Sequence, residues 1–160
     1  MITVLNYYHR LLKVLITVLM GLLIIPVSMQ ITSRYVSLLP RYIWTEEAAR
    51  FCFVWIILLG SMIAVRDGAH FDVDLLPHPK TALQQLLARL VVHFSMLVMA
   101  VSFAYYGYDF AMFGWIQNSE MSGINMLSIY ISFPLAGITW AIFLVEKVVE
   151  DFKIYLKDPS

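Results

Sequence analysis

The sequence predicts an all-α polytopic membrane protein with four transmembrane helices, a short interfacial amphipathic helix, and N- and C-termini in the cytoplasm. Of the 160 residues, 61% are hydrophobic and only 14% are charged, whereas a soluble domain has about 25% charged residues. Four stretches contain no Asp, Glu, Lys or Arg: 14–33, 51–65, 90–108 and 121–145. Because roughly 20 apolar residues cross a bilayer, we expect a single membrane domain over 1–160 with spans at about 11–35, 46–66, 86–110 and 124–149.

The first span follows Arg10 and Lys13, close to the N-terminus. Its uncharged stretch is longer than the core of a signal peptide, which has about 7–15 apolar residues. No A-x-A-like cleavage site follows it. We therefore expect an uncleaved first helix.

The second span has the shortest uncharged stretch, 51–65. It reaches bilayer length if residues 48–49 join it and if Arg50 and Arg66 extend their charged groups toward opposite headgroup layers. The charges that flank this stretch therefore indicate the two faces of the membrane.

The third and fourth spans follow a connection that contains Pro77 and Pro79. Four leucines then recur at the i, i+3, i+4 and i+7 positions of one helix face: Leu83, Leu86, Leu87 and Leu90. This pattern predicts an amphipathic segment along the cytoplasmic interface before the third helix enters the membrane. The fourth span contains Pro134, a residue that can kink a transmembrane helix.

The distribution of Lys and Arg predicts the orientation, because cytoplasmic connections carry an excess of basic residues. With the N-terminus inside, the cytoplasmic side holds Arg10, Lys13, Arg66, Lys80, Arg89, Lys147, Lys153 and Lys157. The outer side holds only Arg34, Arg41 and Arg50, and the third connection, near 109–120, contains no basic residue.

The composition also argues against several functions. A formal net charge of zero gives no basic surface for nucleic acid, and the lone Cys52 excludes an intramolecular disulfide. We expect no metal and no cofactor. His93 is the titratable residue expected in the membrane interior, and it leaves open a haem-binding four-helix anchor of an oxidoreductase, although the other histidines are poorly placed to supply a second ligand.

A second alternative is a stand-alone small channel or transporter. A chain that moves ions by itself usually keeps an ionisable residue, or a helix broken around a site, within the membrane. We expect no Asp, Glu, Lys or Arg in the middle of any of the four spans. Membrane lipids are the one partner that the composition alone requires.

Two groups of residues could serve either helix anchoring or contact with a partner. Glu46 and Glu47 precede Arg50 by four and three residues, so both carboxylates are within its reach on one helix, and Arg34 ends the first helix on the same side. Small residues also recur at four-residue spacing: Gly60 with Ala64, Ala100 with Ala104, and Gly137 with Ala141. Such faces allow close helix approach, either within the chain or toward another membrane subunit.

The segment 34–76 carries one specific pattern of residues. Its members are Arg34, Tyr35, Trp44, Thr45, Glu46, Glu47, Arg50, Trp55, Gly60, Arg66, His70 and Asp74. In their spacing, these residues resemble the small membrane subunit, of the DctQ type, of tripartite ATP-independent periplasmic (TRAP) transporters. Chain length, the four spans and an aromatic–proline pattern at Tyr130 and Pro134 agree with the resemblance.

The resemblance implies a non-catalytic subunit of a three-part importer in the bacterial inner membrane. A periplasmic substrate-binding protein would capture an organic acid, such as sialic acid or a C4-dicarboxylate. A large membrane subunit would hold the substrate and sodium sites, and the small subunit would pack beside it as a scaffold. Glu46, Glu47 and Arg50 would lie at the periplasmic face, whereas Arg66 and the later residues His70 and Asp74 would fix the cytoplasmic end.

Overall fold

The computed structural model describes residues 2–35, 44–68, 82–120 and 122–157. They form four long helices and one short helix: α1 (Ile2–Tyr35), α2 (Trp44–Asp67), α3 (Ala82–Ile116), α4 (Leu127–Tyr130) and α5 (Ser132–Lys157). Four segments are long and apolar enough to cross a membrane: Val4–Tyr35, Trp44–Asp67, Leu90–Ile116 and Leu127–Val149. The predicted all-α architecture with four membrane-spanning helices is therefore confirmed.

The helix limits differ from the sequence expectation in two places. The interfacial amphipathic segment expected at 83–90 is not a separate helix. It forms the first turns of α3, because no Pro or Gly occurs between Ala82 and Gly107 to end the helix. The fourth span is divided into α4 and α5. Pro134 explains the division, since its ring is incompatible with a continuous helix at the carbonyl of Tyr130, four residues earlier.

The long helices are arranged in a row. Helix α1 packs against α2, α2 packs against α5, and α5 packs against α3. In the spanning windows of the edge helices α1 and α3 only 11% of residues are buried, compared with 28% in α2 and 33% in the span that contains α5. Within the described residues α1 and α3 do not pack together, so the fold is an open row rather than a closed bundle.

Close packing holds the row together at its centre. Leu59 and Met62 of α2 and Phe143 of α5 are almost fully buried. A Cβ atom added to Gly137 would lie 2.5 Å from the backbone nitrogen of Ala104 on α3. The small residues at this crossing therefore serve internal packing of α3 against α5, one of the two roles left open by the sequence.

The start of α1 and the end of α5 lie on the same side of the row. The guanidinium of Arg66, at the end of α2, contacts the start of α1 at Leu5 and the carboxylate of Glu146 toward the end of α5. We call this side the termini side, and the side where α2 begins and α3 ends the opposite side.

Candidate interaction site

The first turns of α2, on the opposite side, carry the predicted charged group of Glu46, Glu47 and Arg50. In the structure Glu47 has a different partner from the other two residues. The Nη2 atom of Arg50 lies 3.6 Å from Oε1 of Glu46, and both side chains are largely exposed. Glu47 instead accepts a hydrogen bond from the Ser119 hydroxyl, in the connection that follows α3. Glu46 and Arg50 thus form a surface ion pair, while Glu47 links α2 to that connection.

A cavity of about 340 Å³ lies between α2 and the connection 117–126. Trp44, Phe51, Met126 and Ile129 supply much of its apolar lining, and Glu47 lies at its polar side. Arg50 of the exposed ion pair also lines the cavity. The cavity forms a small apolar recess with charged groups beside it on the opposite side of the membrane.

The connection that closes this cavity is held by its own hydrogen bonds. The side-chain amide of Asn125 donates to the carbonyl of Trp115, 2.9 Å away, and its carbonyl accepts from the backbone nitrogen of Leu127, also at 2.9 Å. Gly123 adopts φ +70°, a conformation that side chains disfavour. The backbone of this surface is therefore defined by local contacts.

Three further predicted residues occupy different positions along the row. The indole nitrogen of Trp55 donates to the carbonyl of Ser128, 3.0 Å away, and so joins α2 to α4. Gly60 faces α1, where an added Cβ atom would meet Ile16 at 3.4 Å. Arg34 lies exposed in the last turn of α1, at the opposite side.

Arg66 has the most extensive contacts of the predicted residues. Its Nε atom lies 3.5 Å from Oε2 of Glu146, and the two side chains are only 11% and 12% exposed. It also donates to the carbonyl of Leu5 and, at 2.6 Å, to the side chain of Asn6. The guanidinium carbon lies 5.2 Å from the centre of the Phe143 ring. One side chain thereby connects α1, α2 and α5.

Two further carboxylates on the termini side face histidines. Asp67 lies 3.2 Å from Nε2 of His9 and 3.2 Å from the Lys13 ammonium. The Nδ1 atom of His93 lies 3.3 Å from Asp151. Because Asp151 is five residues beyond Glu146 in α5, His93 lies near the termini side and not, as expected from the sequence, in the membrane interior. His70 and Asp74 fall outside the described residues.

Two features of these surfaces were not predicted from the sequence. Glu146 was not matched to Arg66, although each directly follows an uncharged stretch on the same predicted side. Asp109 was assigned to the third connection, yet it lies within α3, which continues to Ile116. The signal for the second feature was present, since the uncharged sequence FAMFGWI follows Asp109.

Comparison with known proteins gives a consistent result. The sequence model of the family described as "Tripartite ATP-independent periplasmic transporters, DctQ component" matches residues 23–154. A TRAP transporter small permease protein of Haemophilus influenzae is 21% identical over 110 residues, covering 69% of this chain and 67% of the relative. A second one from the same organism is 22% identical over 156 residues, covering 90% and 89%. The sialic acid TRAP transporter small permease protein SiaQ of Vibrio cholerae is 25% identical over 138 residues, covering 86% and 79%.

Proposed function

The chain belongs to the DctQ family, the small membrane subunits of TRAP transporters, and from this membership we propose that it is the non-catalytic scaffold of an organic-acid importer. In this proposal it packs beside the large membrane subunit in the bacterial inner membrane. The termini side faces the cytoplasm, in agreement with the excess of Lys and Arg predicted there. A sodium gradient drives the import.

The observation that carries the proposal is the position of the charged residues along each spanning helix. In the described residues, the charged side chains other than Asp109 lie near the two ends of the spans, and Asp109 lies seven residues before the end of α3. The stretches between them, 14–33, 51–65, 90–108 and 132–145, are uncharged. Coupled movement of an anion and sodium usually needs an ionisable residue or an unwound helix near the middle of the membrane. At the division between α4 and α5 the backbone of Ile131 stays in the α-helical region. Such sites are therefore assigned to the large subunit.

The open row also favours a scaffold. Edge helices α1 and α3 expose long apolar surfaces that a closed bundle would bury. A row of four helices widens the membrane footprint of any subunit to which it is attached. In the proposed mechanism this wide base resists tilting while a mobile part of the large subunit moves against it.

The opposite-side surface suits the docking of a soluble partner. It combines the exposed pair of Glu46 and Arg50 with the apolar recess beside Glu47. Charged rims around an apolar centre are common in protein interfaces. We assign this surface to the periplasmic substrate-binding protein.

The substrate class is proposed from the relatives. One of them, SiaQ of Vibrio cholerae, is named for sialic acid transport. We propose an organic acid of the sialic acid or C4-dicarboxylate type as the transported substrate, recognised by the other two subunits.

The function is tested with proteoliposomes that contain the large subunit alone, this chain alone, or both. With the binding protein and an inward sodium gradient, uptake of labelled sialic acid and of a labelled C4-dicarboxylate is measured. We expect uptake of one of them only when both membrane subunits are present. Full uptake without this chain would contradict the scaffold role, and flux through this chain alone would indicate a stand-alone transporter. Soret absorption of the purified chain would indicate the haem-binding alternative.

A further inference from the structure

Asp109 lies deeper in the membrane than the connection to which its sequence position assigns it. Trp115, whose ring is of the type that marks the headgroup layer, is six residues farther along α3, or about 9 Å at the rise of an α-helix. The exposed residues between them, among them Met112 and Phe113, are apolar. Asp109 therefore lies about 9 Å farther into the membrane than Trp115, at the level of the exposed side chains of Tyr105 and Tyr108.

Contacts with the neighbouring helices support the same depth. Gly107 faces Pro134, and Gly114 faces Tyr130, so Asp109 lies at a level between these two contacts. Ser128 lies closer to the opposite side than these contacts, and it accepts a hydrogen bond from Trp55. Trp55 follows Glu47 by eight residues in α2, a distance of roughly 12 Å along the helix. Asp109 is accordingly separated from the charged surface at Glu47 by more than one helical turn.

The carboxylate of Asp109 is exposed at this depth. In the described part of the chain it takes part in no ion pair and no side-chain hydrogen bond, whereas the other carboxylates within the spans, Glu46, Glu47, Asp67 and Glu146, each have a contact. A carboxylate facing lipid is unfavourable, and such residues usually pair with another polar group. The chain itself supplies no such group within the described ranges.

Asp109 also stands at one end of a groove between α3 and α5. Ala104, Gly137 and Ala141 form part of the floor, while Val101 and Ile138 are among its walls. The groove has a volume of about 510 Å³ and is open to the surroundings of the chain. It extends from Ala100 to Asp109, nine residues or about 14 Å, so more than two turns of a further helix would fit against it.

We propose that this groove binds a transmembrane helix of the large membrane subunit, and that Asp109 pairs there with a Lys or Arg side chain of that helix. The groove offers the partner helix an open apolar surface, and the basic side chain compensates the charge that this chain leaves unmatched. The inference rests on the proposed function and specifies which face of the row meets the partner.

The charge also discriminates between possible occupants. A second copy of the chain, docked symmetrically, would bring two Asp109 carboxylates into the same groove. A lipid acyl chain would fill the apolar floor but leave the carboxylate without a partner. A helix that carries a basic residue can pack against the apolar floor of the groove and also pair with the Asp109 carboxylate.

The test is retention of the large subunit on the affinity-tagged small subunit after co-expression and detergent extraction. Asp109→Asn removes the charge, and Val101→Trp fills the groove from a residue that is 57% exposed. We expect each to reduce retention about tenfold and Asp109→Glu to retain the wild-type level. Matched controls are Glu120→Gln, an exposed carboxylate beyond α3, and Val18→Trp on α1, where Val18 is 52% exposed; both should bind as wild type.

A photo-crosslinking residue at Val101 gives a second measurement that does not depend on the stability of a variant. We expect it to capture the large subunit in intact membranes. Capture of a second copy or of lipid alone, or equal loss of retention in Asp109→Asn and Glu120→Gln, would overturn the proposed groove. If the wild-type chain bound no large subunit at all, the proposed function would fail together with the groove. If the wild-type chain bound the large subunit and the Asp109→Asn and Val101→Trp variants bound it equally well, the proposed groove would be wrong while the proposed function remained.

Discussion

Replacing Glu146 with glutamine removes the carboxylate that faces Arg66 while keeping the size of the side chain. The Arg66 side chain is 11% exposed, and its guanidinium would retain the carbonyl of Leu5 and the side chain of Asn6 as acceptors. Removing one partner of a buried ion pair costs about 3–5 kcal/mol. Because these two acceptors remain, we expect a smaller loss of about 2–3 kcal/mol in the free energy of unfolding.

The control for this substitution is Glu46→Gln, on the opposite side of the row. Glu46 faces Arg50 at 3.6 Å, nearly the 3.5 Å that separates Glu146 from Arg66, but its side chain is 66% exposed compared with 12% for Glu146. An exposed pair contributes roughly 0–1 kcal/mol. The two glutamates therefore lie at almost the same distance from their arginine partners and differ mainly in how deeply their side chains are buried.

Thermal unfolding in detergent measures both effects. A loss of about 2–3 kcal/mol corresponds to a drop in Tm of roughly 4–12 °C for Glu146→Gln, and we expect about 0–4 °C for Glu46→Gln. A double-mutant cycle with Arg66→Met should show a coupling of more than about 1 kcal/mol, because the double variant no longer leaves a buried charge unpaired. Equal Tm values for the two single variants, together with additive effects in the cycle, would show that burial does not strengthen the pair of Arg66 and Glu146.

Three further predictions follow from the contacts of α2 and α5. Gly137→Ala should lower the Tm well below that of Gly21→Ala, because its added Cβ would meet the backbone of α3 at 2.5 Å, whereas nothing lies within 4 Å at Gly21; similar Tm values would argue against the close crossing. Trp55→Phe should lose about 0.5–1.5 kcal/mol and speed amide exchange in α4, because the hydrogen bond to Ser128 is lost; unchanged exchange would show that this bond does not hold α4. Glu47→Ala should reduce reconstituted uptake while cysteine-accessibility labelling shows the four spans intact, since the contact with Ser119 shapes the proposed docking surface; wild-type uptake at equal expression would show that Glu47 serves only anchoring.

The number and approximate position of the helices could be predicted because lipid imposes a local rule. A charged residue is costly in the hydrocarbon layer, so the uncharged stretch before Arg66 and the one before Glu146 each indicate a span without knowledge of the other. The same rule predicts that both residues lie near the termini side. To predict that Arg66 and Glu146 contact each other, one must also know that α2 and α5 are neighbours. The order of the helices depends on the whole chain.

That order could not be predicted from apolar patterning. In water, the buried face of a helix is more apolar than the exposed face, but in a membrane both lipid and neighbouring helices accept apolar side chains. The exposed Val18 on α1 and the buried Leu59 on α2 are therefore not distinguished by polarity. Nothing in the sequence indicated that α5 would lie between α2 and α3, or that Asp109 would lie beside the crossing of α3 and α5.

The central position of α5 has a consequence for how the chain is made. The ribosome delivers α5 after the other three spans, yet in the described structure α2 contacts α3 only through the span that contains α4 and α5. During synthesis α1 and α2 can pair as a hairpin as soon as both have left the translocon, whereas α3 must wait in the lipid without a long helical neighbour. Assembly of the row is thus completed by its last-made member, and a chain interrupted after Ile116 would present an unpaired third helix to membrane quality-control proteases.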